Sequence, residues 1–550
     1  MTDFCSFTKS KISLTLFTDT KDQSILDISS ISEKYRKISE NVNFFALLLV
    51  ASSLFFSRFL ISIGFILVVF NWVAEGGFKK KFEFINKNKS AFYILLLWVF
   101  HLIGLAYTEN LEGGIFDIRI KSFLFIIPAY GSGILLSNKR KNIVFYVYIL
   151  SALIASIISS LSFYIGNDFA SIEDLGGISL VGGNLYQAIL INIAISLLCF
   201  FLISYKKSKY SLIYFVTIIW FVIYLFLLNS LTGYVLLFIL FIYNSLNLFF
   251  KLKNKKSRLK VLFIFLMIFI STGIYISLIA KDFYQGDNIN YDQLPKTTIN
   301  GNIYTQDTSN RKWENGHYLY LNLCEKELQK EWNKRSLADY KGLDKKNQQI
   351  SQTLIRYLSS RNLAKDSVGI WTLSSNEVQL IENGCANYLY AEKLSAKARI
   401  YVVLWQLDNY FNNNFSNRQT ISQRLVYFKS AFALIRNHFW VGVGPGDVLD
   451  ESKSYNDHTP VGLSKEYSSR VHNQFLVEFV GLGVFGFIGF TIIIFYPFFK
   501  NKKWKDYLFT PFYLIVVISF FSDNLFESQL GIAFFSFFYS LLYFKQTNEI

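Results

Sequence analysis

The chain has 550 residues, of which 52% are hydrophobic and 18% aromatic, and it carries a formal net charge of +16. Apolar runs of about 20 residues recur along it, which is the length that crosses a bilayer core, and this excludes an ordinary soluble globular protein. The basic residues cluster in short stretches between the apolar runs, so the charge indicates membrane topology rather than nucleic-acid binding. We therefore predict an all-α polytopic membrane protein.

The apolar runs predict about 12 transmembrane helices in two groups, separated by a long polar segment. The predicted spans are 43–57, 59–75, 91–107, 119–137, 143–165, 183–204, 210–229, 232–250, 261–280, 473–498, 507–522 and 529–545. The first two could instead form one long broken helix. The predicted organisation is a cytoplasmic tail without a cleavable signal peptide (1–42), helices 1–9 (43–280), a large outer domain (281–472), helices 10–12 (473–545) and a short cytoplasmic tail (546–550).

Basic residues set the predicted orientation of these helices. Basic stretches occur at 79–81, 139–141, 206–207, 251–260 and 500–505. With twelve spans all of them fall on one side, which is then cytoplasmic, and the segment 281–472 lies on the outer, periplasmic side. We predict that this outer segment is mostly helical, with helices in HYLYLNLCEKELQKEWNKR and NQQISQTLIRYLSSRNL. KARIYVVLWQLDNYF lies on the membrane surface or packs as a domain helix. The front of the segment, from about 284 to 310, is predicted to be mobile.

Cysteine and histidine positions give little sign of a structural cross-link or a metal site. Cys324 and Cys385 both fall in the outer segment, where a disulfide and two free buried thiols are both open. His317 and His458 are isolated, and no tight spacing of metal ligands is visible. We expect no metal and no cofactor.

A helix carrying Arg424 is predicted from Thr420, because Thr420 and Gln423 have the spacing of a capping box. Its predicted apolar face consists of Arg424, Phe428, Ala431, Phe432 and Ile435. An unpaired guanidinium on an apolar face is costly, so Arg424 needs an anion, either a carboxylate or a substrate phosphate. Arg436 and His438 are predicted to be solvated residues at the helix end.

A glycine-rich turn and a histidine follow this helix. The turn, 441–447, reads VGVGPGD, lacks the lysine of a nucleotide P-loop, and has glycines at 444 and 446 that allow close backbone approach. His472 stands at the start of an apolar span. It is either structural or a base, since imidazole accepts a proton from a hydroxyl near neutral pH.

Four further charged residues lie on the side that is poor in cations. Arg119 and Lys121 are near the outer end of the predicted fourth span, where a charge marks a functional site or snorkels, or pairs with Asp117. Asp523 and Glu527 lie between the last two spans. They orient His472, bind an acceptor, or form a simple polar turn.

At these residues the sequence resembles the O-antigen ligase and O-antigen polymerase superfamily of bacterial membrane glycosyltransferases. The resemblance rests on Arg424, then GVGPGD, then HNQFL from His472, and the glycine-spaced span that follows. The fragments KSFLFIIP from Lys121, GNLY from Gly183 and DNLFESQLGIAFF from Asp523 are also similar, the last most of all to members from Bacteroidetes-type bacteria. The order of these motifs, with one large outer loop before the last spans, covers most of the chain.

The resemblance implies a GT-C-type glycosyltransferase of the bacterial inner membrane whose active site faces the periplasm. Such enzymes transfer a glycan, with inversion and without metal or nucleotide, from undecaprenyl diphosphate to an acceptor hydroxyl. The acceptor is the lipid A core in ligases and another carrier-linked repeat unit in polymerases. By resemblance, His472 activates the acceptor and Arg424 holds the diphosphate. The candidate substrate-binding residues are Arg119, Lys121, Gly444, Gly446, Asn473, Asp523 and Glu527.

One position departs from the family pattern. Members usually carry a basic residue in a Ser-Arg-Thr-Gly-like segment, and this chain has Leu231 there. Either Arg119 and Lys121 compensate, or the substrate differs, or activity is lost. A ligase is the first hypothesis that the resemblance implies. A repeat-unit polymerase, a protein O-oligosaccharyltransferase, a lipid-linked glycan transporter and a non-catalytic lipid-binding descendant stay open as alternatives.

Overall fold

The computed structural model describes residues 33–166, 178–204, 209–285, 290, 293–307, 309–310, 312–392, 395–413, 419–458, 463–464 and 471–544. Residues 1–32 of the predicted N-terminal tail, the basic stretch 206–207 and the predicted tail 546–550 lie outside them.

Helices form the first half of the described chain. They are α1 (Glu33–Ser53), α2 (Arg58–Ala74), α3 (Phe78–Lys87), α4 (Lys89–Gly104), α5 (Leu111–Lys121), α6 (Ile126–Ser132), α7 (Asn138–Gly166), α8 (Gly183–Ser204), α9 (Ser211–Leu228), α10 (Leu231–Lys251) and α11 (Lys255–Tyr284). The first two predicted spans are thus separate helices. The predicted span 119–137 is divided, because a 3₁₀ helix (Ser122–Phe125) joins α5 to α6. Pro128 falls in the first turn of α6, where its missing N–H is tolerated.

The outer segment and the final helices complete the fold. Two short antiparallel strands, β1 (Trp313–Glu314) and β2 (His317–Tyr318), pair with Trp313 opposite Tyr318. The helices that follow are α12 (Glu325–Arg335), α13 (Ile350–Ser360), α14 (Ser367–Thr372), α15 (Ser375–Glu382), α16 (Ala396–Asn413), α17 (Thr420–Asn437), α18 (Val448–His458), α19 (Gln474–Lys500), α20 (Phe509–Ser522) and α21 (Gln529–Tyr543). A 3₁₀ helix (Leu525–Glu527) lies between α20 and α21.

Six helices of the described chain are long and apolar enough to cross a membrane, namely α7, α8, α9, α10, α11 and α19. The count becomes seven if the sharply bent pair α2 and α3 is one span. Helices α4, α20 and α21 are apolar but shorter. These findings support an all-α membrane protein, whereas the twelve spans and the periplasmic position of the outer segment stay predictions.

The helices differ greatly in burial, which identifies the centre of the bundle. Every residue of α21 from Leu530 to Tyr543 is buried, as expected for a helix that is apolar on all faces and surrounded by others. Only 6% of the most apolar 18-residue stretch of α11 is buried, so this helix lies at the periphery and presents its side chains outward. The C-terminal helix is therefore the core around which the bundle packs.

The outer segment confirms part of the predicted helicity. Helix α13 lies within the predicted stretch NQQISQTLIRYLSSRNL, but the stretch that begins at His317 is helical only from Glu325. Helix α16 packs against α11 and α17 and buries Ala398 and Tyr401, which supports the domain-helix interpretation over the membrane-surface one. Cys324 and Cys385 are both free and buried, so the predicted alternative of two thiols is the correct one.

The described front of the outer segment is bonded to α12 through Glu327, and the mobility predicted for this stretch stays a prediction. The Glu327 carboxylate accepts hydrogen bonds from Thr298 Oγ1 at 2.5 Å, Asn302 Nδ2 at 2.6 Å, Asn300 Nδ2 at 3.2 Å and the Ser367 N–H at 3.0 Å. Burial alone would raise the pKa of Glu327, but the hydrogen bonds from Thr298, Asn302 and Ser367 outweigh it and lower the pKa to about 2. The ionised carboxylate is therefore a structural hub.

Helix α19 is broken at Gly483, where φ is 65° and ψ is −166°, and the glycine-rich turn fills the break. The N–H of Val443 donates to the Val480 carbonyl at 2.8 Å, and the N–H of Gly444 donates to the Gly481 carbonyl at 3.0 Å. These carbonyls lose their intrahelical partners at the break, so the turn supplies replacements. The turn 441–447 and the first half of α19 thus form one rigid unit.

We expect Glu327→Ala to loosen residues 293–307, because buried hydrogen-bond donors left without partners cost about 1–3 kcal/mol. Hydrogen–deuterium exchange of this stretch in the full chain should rise, whereas Glu325→Ala, an exposed change on the same helix, should leave exchange unaltered. Because the folded-state pKa lies below the unfolded one, the contribution of Glu327 is complete above about pH 4.5 and is lost as the pH falls toward 2. Equal exchange in both variants would refute this role.

We expect Gly483→Ala to lower the midpoint of thermal unfolding of the detergent-purified protein. The backbone conformation at this position is almost restricted to glycine, and forcing another residue into it costs about 1–3 kcal/mol. Gly273→Ala in α11 is the control, because an added Cβ there meets no atom within 4 Å. If both variants unfold with the midpoint of the wild type, the break does not depend on glycine.

Candidate active site

His472 and Asp523 form a hydrogen-bonded pair at the end of the bundle where α19 begins. The distance between His472 Nδ1 and Asp523 Oδ1 is 2.9 Å. A carboxylate only accepts hydrogen bonds, so Nδ1 carries the proton, and the neutral ring presents the lone pair of Nε2 outward. The His472 side chain is 33% exposed, and Nε2 has no hydrogen-bond partner among the described residues. The pair therefore has the geometry of a base with an orienting carboxylate, and those roles, which the sequence predicted as alternatives for these residues, stay predictions.

Asn473 fixes this pair to the helices on both sides. Its side-chain oxygen accepts from the N–H of Leu476 at 3.1 Å and so caps α19, while its Nδ2 donates to the Phe521 carbonyl at 3.2 Å. Asp523 terminates α20, and its N–H donates to the Ser519 carbonyl at 2.8 Å. The structure uses the Asn473 side chain as a cap, and its predicted contact with substrate stays a prediction.

Arg424 lies on α17, one turn from Tyr427, whose ring centroid is 5.5 Å from that of His472. The guanidinium is half-buried and forms no ion pair or hydrogen bond within the described chain. Burial lowers the pKa of Arg424, and the carboxylate of Asp523 partly opposes this shift. Of the two anions that the sequence predicted for Arg424, no carboxylate pairs with it directly, which leaves room for a ligand.

The surroundings of Arg424 correct two details of the prediction. The capping box at Thr420 is wrong, because Gln419 precedes the helix and the N–H of Gln423, which the Thr420 side chain would have to bind, donates to the Gln419 carbonyl at 2.9 Å. Phe432 was expected on the apolar face, but it is 62% exposed. Arg436 and His438 are exposed at the helix end, as predicted.

Arg399 of α16 is a candidate functional residue that the sequence analysis missed. Its Nε atom is buried without a hydrogen-bond partner. Burial lowers the pKa of Arg399, the hydroxyl of Tyr234 at the start of α10 opposes this shift, and the nearby positive charge of Arg424 adds to it. Two guanidinium groups thus approach each other without a carboxylate between them. The signal in the sequence was a lone arginine within an otherwise apolar, aromatic helix.

The glycine-rich turn serves the site indirectly. Gly444 has a φ of +107°, and an added Cβ at Gly446 would collide with the backbone of residues 110 and 114. The Asp447 carboxylate accepts from the N–H groups of Glu109 at 2.9 Å and Asn110 at 2.7 Å, so the turn also holds the start of α5. Substrate contacts of Gly444 and Gly446 stay predictions.

Lys121 is fully buried at the centre of an ionic network that we name the buried charge cluster. The cluster consists of His101, Asp117, Lys121, Glu478 and Glu527. Lys121 Nζ pairs with Asp117 and lies 2.8 Å from Glu527 Oε1. The sequence offered pairing with Asp117 as one alternative, and the structure forms that pair. Lys121 therefore neutralises carboxylates, and Arg119 is exposed, with its guanidinium 5.0 Å from the Phe116 ring. The predicted contacts of Lys121 and Arg119 with substrate stay predictions.

The part of the cluster around His101 must hold a proton. His101 Nδ1 lies 2.9 Å from the Leu97 carbonyl and must donate to it, so that nitrogen carries a proton. His101 Nε2 then faces Glu478 Oε2 at 3.3 Å and Asp117 Oδ2 at 3.7 Å. Three acceptors cannot share a buried space without a proton among them. Either the imidazole is charged or one carboxyl is protonated.

The buried charge cluster is connected to the His472–Asp523 pair through Gln474. Gln474 Nε2 donates to Glu478 Oε1 at 2.9 Å and to Glu527 Oε1 at 3.4 Å, and its Oε1 accepts from the N–H of Phe526 at 2.8 Å. Residues 525–527 begin two positions after Asp523, and Gln474 lies two positions after His472. The cluster therefore holds in place both segments that carry the pair.

We expect Lys121→Met to destabilise the protein by about 3–5 kcal/mol, because Asp117 and Glu527 would stay buried without their counter-charge. The double variant Lys121→Met/Glu527→Gln should recover part of this loss, since it removes one of the stranded charges. The measurement is the thermal midpoint in detergent, with exposed Lys253→Met as the control. Additive effects of the two substitutions would show that Lys121 and Glu527 are not coupled.

Comparison with known proteins places these residues in a family. No curated protein and no solved structure matches the chain. Residues 394–491 match the model of the O-antigen ligase family. This match holds Arg399, Arg424, the glycine-rich turn and His472, while Lys121 and Asp523 lie outside it. Among the described residues no group of three His, Cys, Asp or Glu side chains could hold a metal ion. Residues 394–491 are thus similar to the O-antigen ligase family, and this match is consistent with an O-antigen ligase-like protein.

Proposed function

We propose that this protein transfers a glycan from undecaprenyl diphosphate to a hydroxyl of an acceptor, the lipid A core, at the periplasmic face of the inner membrane. The family match supports an O-antigen ligase or polymerase type of glycosyltransferase. The observation that carries the finer proposal is the arrangement of a His–Asp pair next to two half-buried arginines that lack carboxylate partners.

In this proposal His472 is the general base. Its Nε2 takes the proton of the acceptor hydroxyl as the acceptor oxygen bonds to the anomeric carbon of the glycan. The bond between that carbon and the diphosphate oxygen breaks, and its electron pair leaves with the diphosphate. Asp523 holds the ring in the required tautomer and stabilises the imidazolium that forms. Attack from the side opposite the leaving group inverts the anomeric centre.

Arg399 and Arg424 bind the diphosphate of the carrier. Guanidinium groups match phosphate oxygens with two parallel hydrogen bonds, and a buried pair offsets the charge that grows as the bond breaks. The two positive charges repel each other, and an anion bound to both removes this repulsion. This pair accounts for Leu231, because Arg399 lies near Tyr234, one turn of α10 from the position where the family usually has its basic residue.

The experiment is transfer by the purified full chain with undecaprenyl-diphosphate-linked glycan and either lipid A core or a carrier-linked repeat unit, followed by gel shift. We expect transfer to lipid A core. His472→Ala should lower the rate by about 10²–10⁴-fold, which is the usual contribution of a general base, without weakening carrier binding. Arg399→Ala and Arg424→Ala should weaken binding of undecaprenyl diphosphate, and Arg399→Lys should restore only part of it, since lysine cannot form the bidentate contact.

Arg436→Ala is the matched control, because this exposed arginine lies on the same helix as Arg424 and should leave both measurements unchanged. Transfer to the repeat unit alone would establish a polymerase. Carrier binding that is unaffected by either buried arginine would refute the diphosphate site, and full transfer by His472→Ala would refute the base.

A further inference from the structure

A second cavity lies at the opposite end of α19 from His472. It has a volume of about 680 Å³ and is lined by Lys80, Lys87, Lys89, Lys500 and Lys503, with Glu83 as its one acidic lining residue in the described chain. Helix α19 has 27 residues, His472 lies just before it and Lys500 is its last residue. At 1.5 Å per residue the cavity is roughly 40 Å from the catalytic pair, so it belongs to a different site.

Three of the lining lysines carry a positive charge without an ion-pair partner. Lys87, Lys89 and Lys500 form no ion pair within the described chain. Lysines that face one another across a common space repel, and an anion between them removes the repulsion. The cavity therefore suits a negatively charged ligand.

Backbone and buried polar groups add to the same preference. The first turn of α4 lines the cavity through Asn88, Lys89 and Ser90, and N–H groups at a helix N-terminus bind anions such as phosphate. Behind them Ser90 is buried, with its hydroxyl 2.5 Å from that of Tyr543, and Asn501 Nδ2 donates to the Ser90 hydroxyl at 3.1 Å. A helix end, a ring of lysines and a polar floor thus converge on one space.

The wall formed by α3 indicates where the anion comes from. This helix bends 115° away from α2 and consists mainly of lysines and phenylalanines. Phe78 is 42% exposed and Phe82 is 55% exposed, next to Lys79 and Lys80. A short amphipathic helix with exposed Phe and Lys lies in the interface of a bilayer, where its apolar face enters the lipid. The cavity then opens at the level of lipid head groups.

We propose that this cavity binds the phosphate of an anionic phospholipid head group. Lys87, Lys89 and Lys500 would contact the phosphate together with the first N–H groups of α4, and Phe84 and Tyr496 would contact the upper part of the acyl chains. Basic pockets between helices on the cytoplasmic side bind anionic lipids in this way. The site is independent of the transfer reaction, and it gives the protein a fixed lipid at the base of α19.

The test measures retention of phosphatidylglycerol by the detergent-purified full chain in native mass spectrometry, with phosphatidylcholine as the neutral lipid. We expect Lys87→Gln/Lys89→Gln/Lys500→Gln to weaken phosphatidylglycerol binding by about 100-fold, since each lysine near a lipid surface contributes about fivefold. The matched control is Lys253→Gln/Lys255→Gln/Lys256→Gln, which removes the same charge from exposed lysines outside the cavity. Lys500→Glu alone should also weaken binding by at least tenfold, and folding of every variant is checked by gel filtration.

A second arm adds inorganic phosphate as competitor. Phosphatidylglycerol that stays bound at millimolar phosphate supports the lipid as ligand. Its displacement at those concentrations by wild-type protein, lost in the cavity triple variant, would replace the lipid by free phosphate as the ligand. Equal binding of phosphatidylglycerol by the cavity triple and the control triple would overturn the proposal, as would equal retention of phosphatidylcholine.

Discussion

A charge buried among apolar helices is stable only beside an opposite charge or a full set of hydrogen bonds, and this constraint shapes the molecule. Lys121 obeys it through Asp117 and Glu527, and in doing so it joins α5 to the segment between α20 and α21. Arg399 and Arg424 do not obey it within the described chain. The same rule therefore separates the part of the protein whose charges are paired within the chain from the part where we propose that a ligand binds.

Much of the fold follows from the apolar pattern, and its exceptions have local causes. Helices α7 to α11 and α19 lie where long apolar runs predict them, because an apolar run of that length must form its hydrogen bonds internally. The run from 119 to 137 fails as a single α-helix, because a 3₁₀ helix (Ser122–Phe125) interrupts it directly after Lys121. The predicted capping box at Thr420 fails because the helix begins one residue earlier than the box requires, and the N–H of Gln423 donates to the Gln419 carbonyl. The apolar pattern marks neither of these boundaries.

The candidate site was predictable to the extent that its residues stand out individually. His472, Arg424 and Asp523 are polar residues at the ends or on the faces of apolar segments, so the sequence marks them. The pairing of residues is harder to predict, since Lys121 and Glu527 both stand out in the sequence but are separated by 406 positions, and only the fold brings them together. Arg399 was missed because the aromatic residues of its helix alone decided how that helix was interpreted. The glycines at 444 and 446 were noticed, but their main role, bracing a broken helix, depends on Gly483.

The break in α19 affects how the protein responds to a change in bilayer thickness. Helices adjust their tilt when the bilayer becomes thicker or thinner, and a continuous helix would carry that adjustment along its whole length. In α19 the half that carries His472 is held by the turn 441–447, and the half that ends at Lys500 begins beyond Gly483. Continuous helical hydrogen bonds therefore do not carry a change of tilt from the half that ends at Lys500 to the half that carries His472. The break in this way uncouples the position of the His472–Asp523 pair from the thickness of the bilayer.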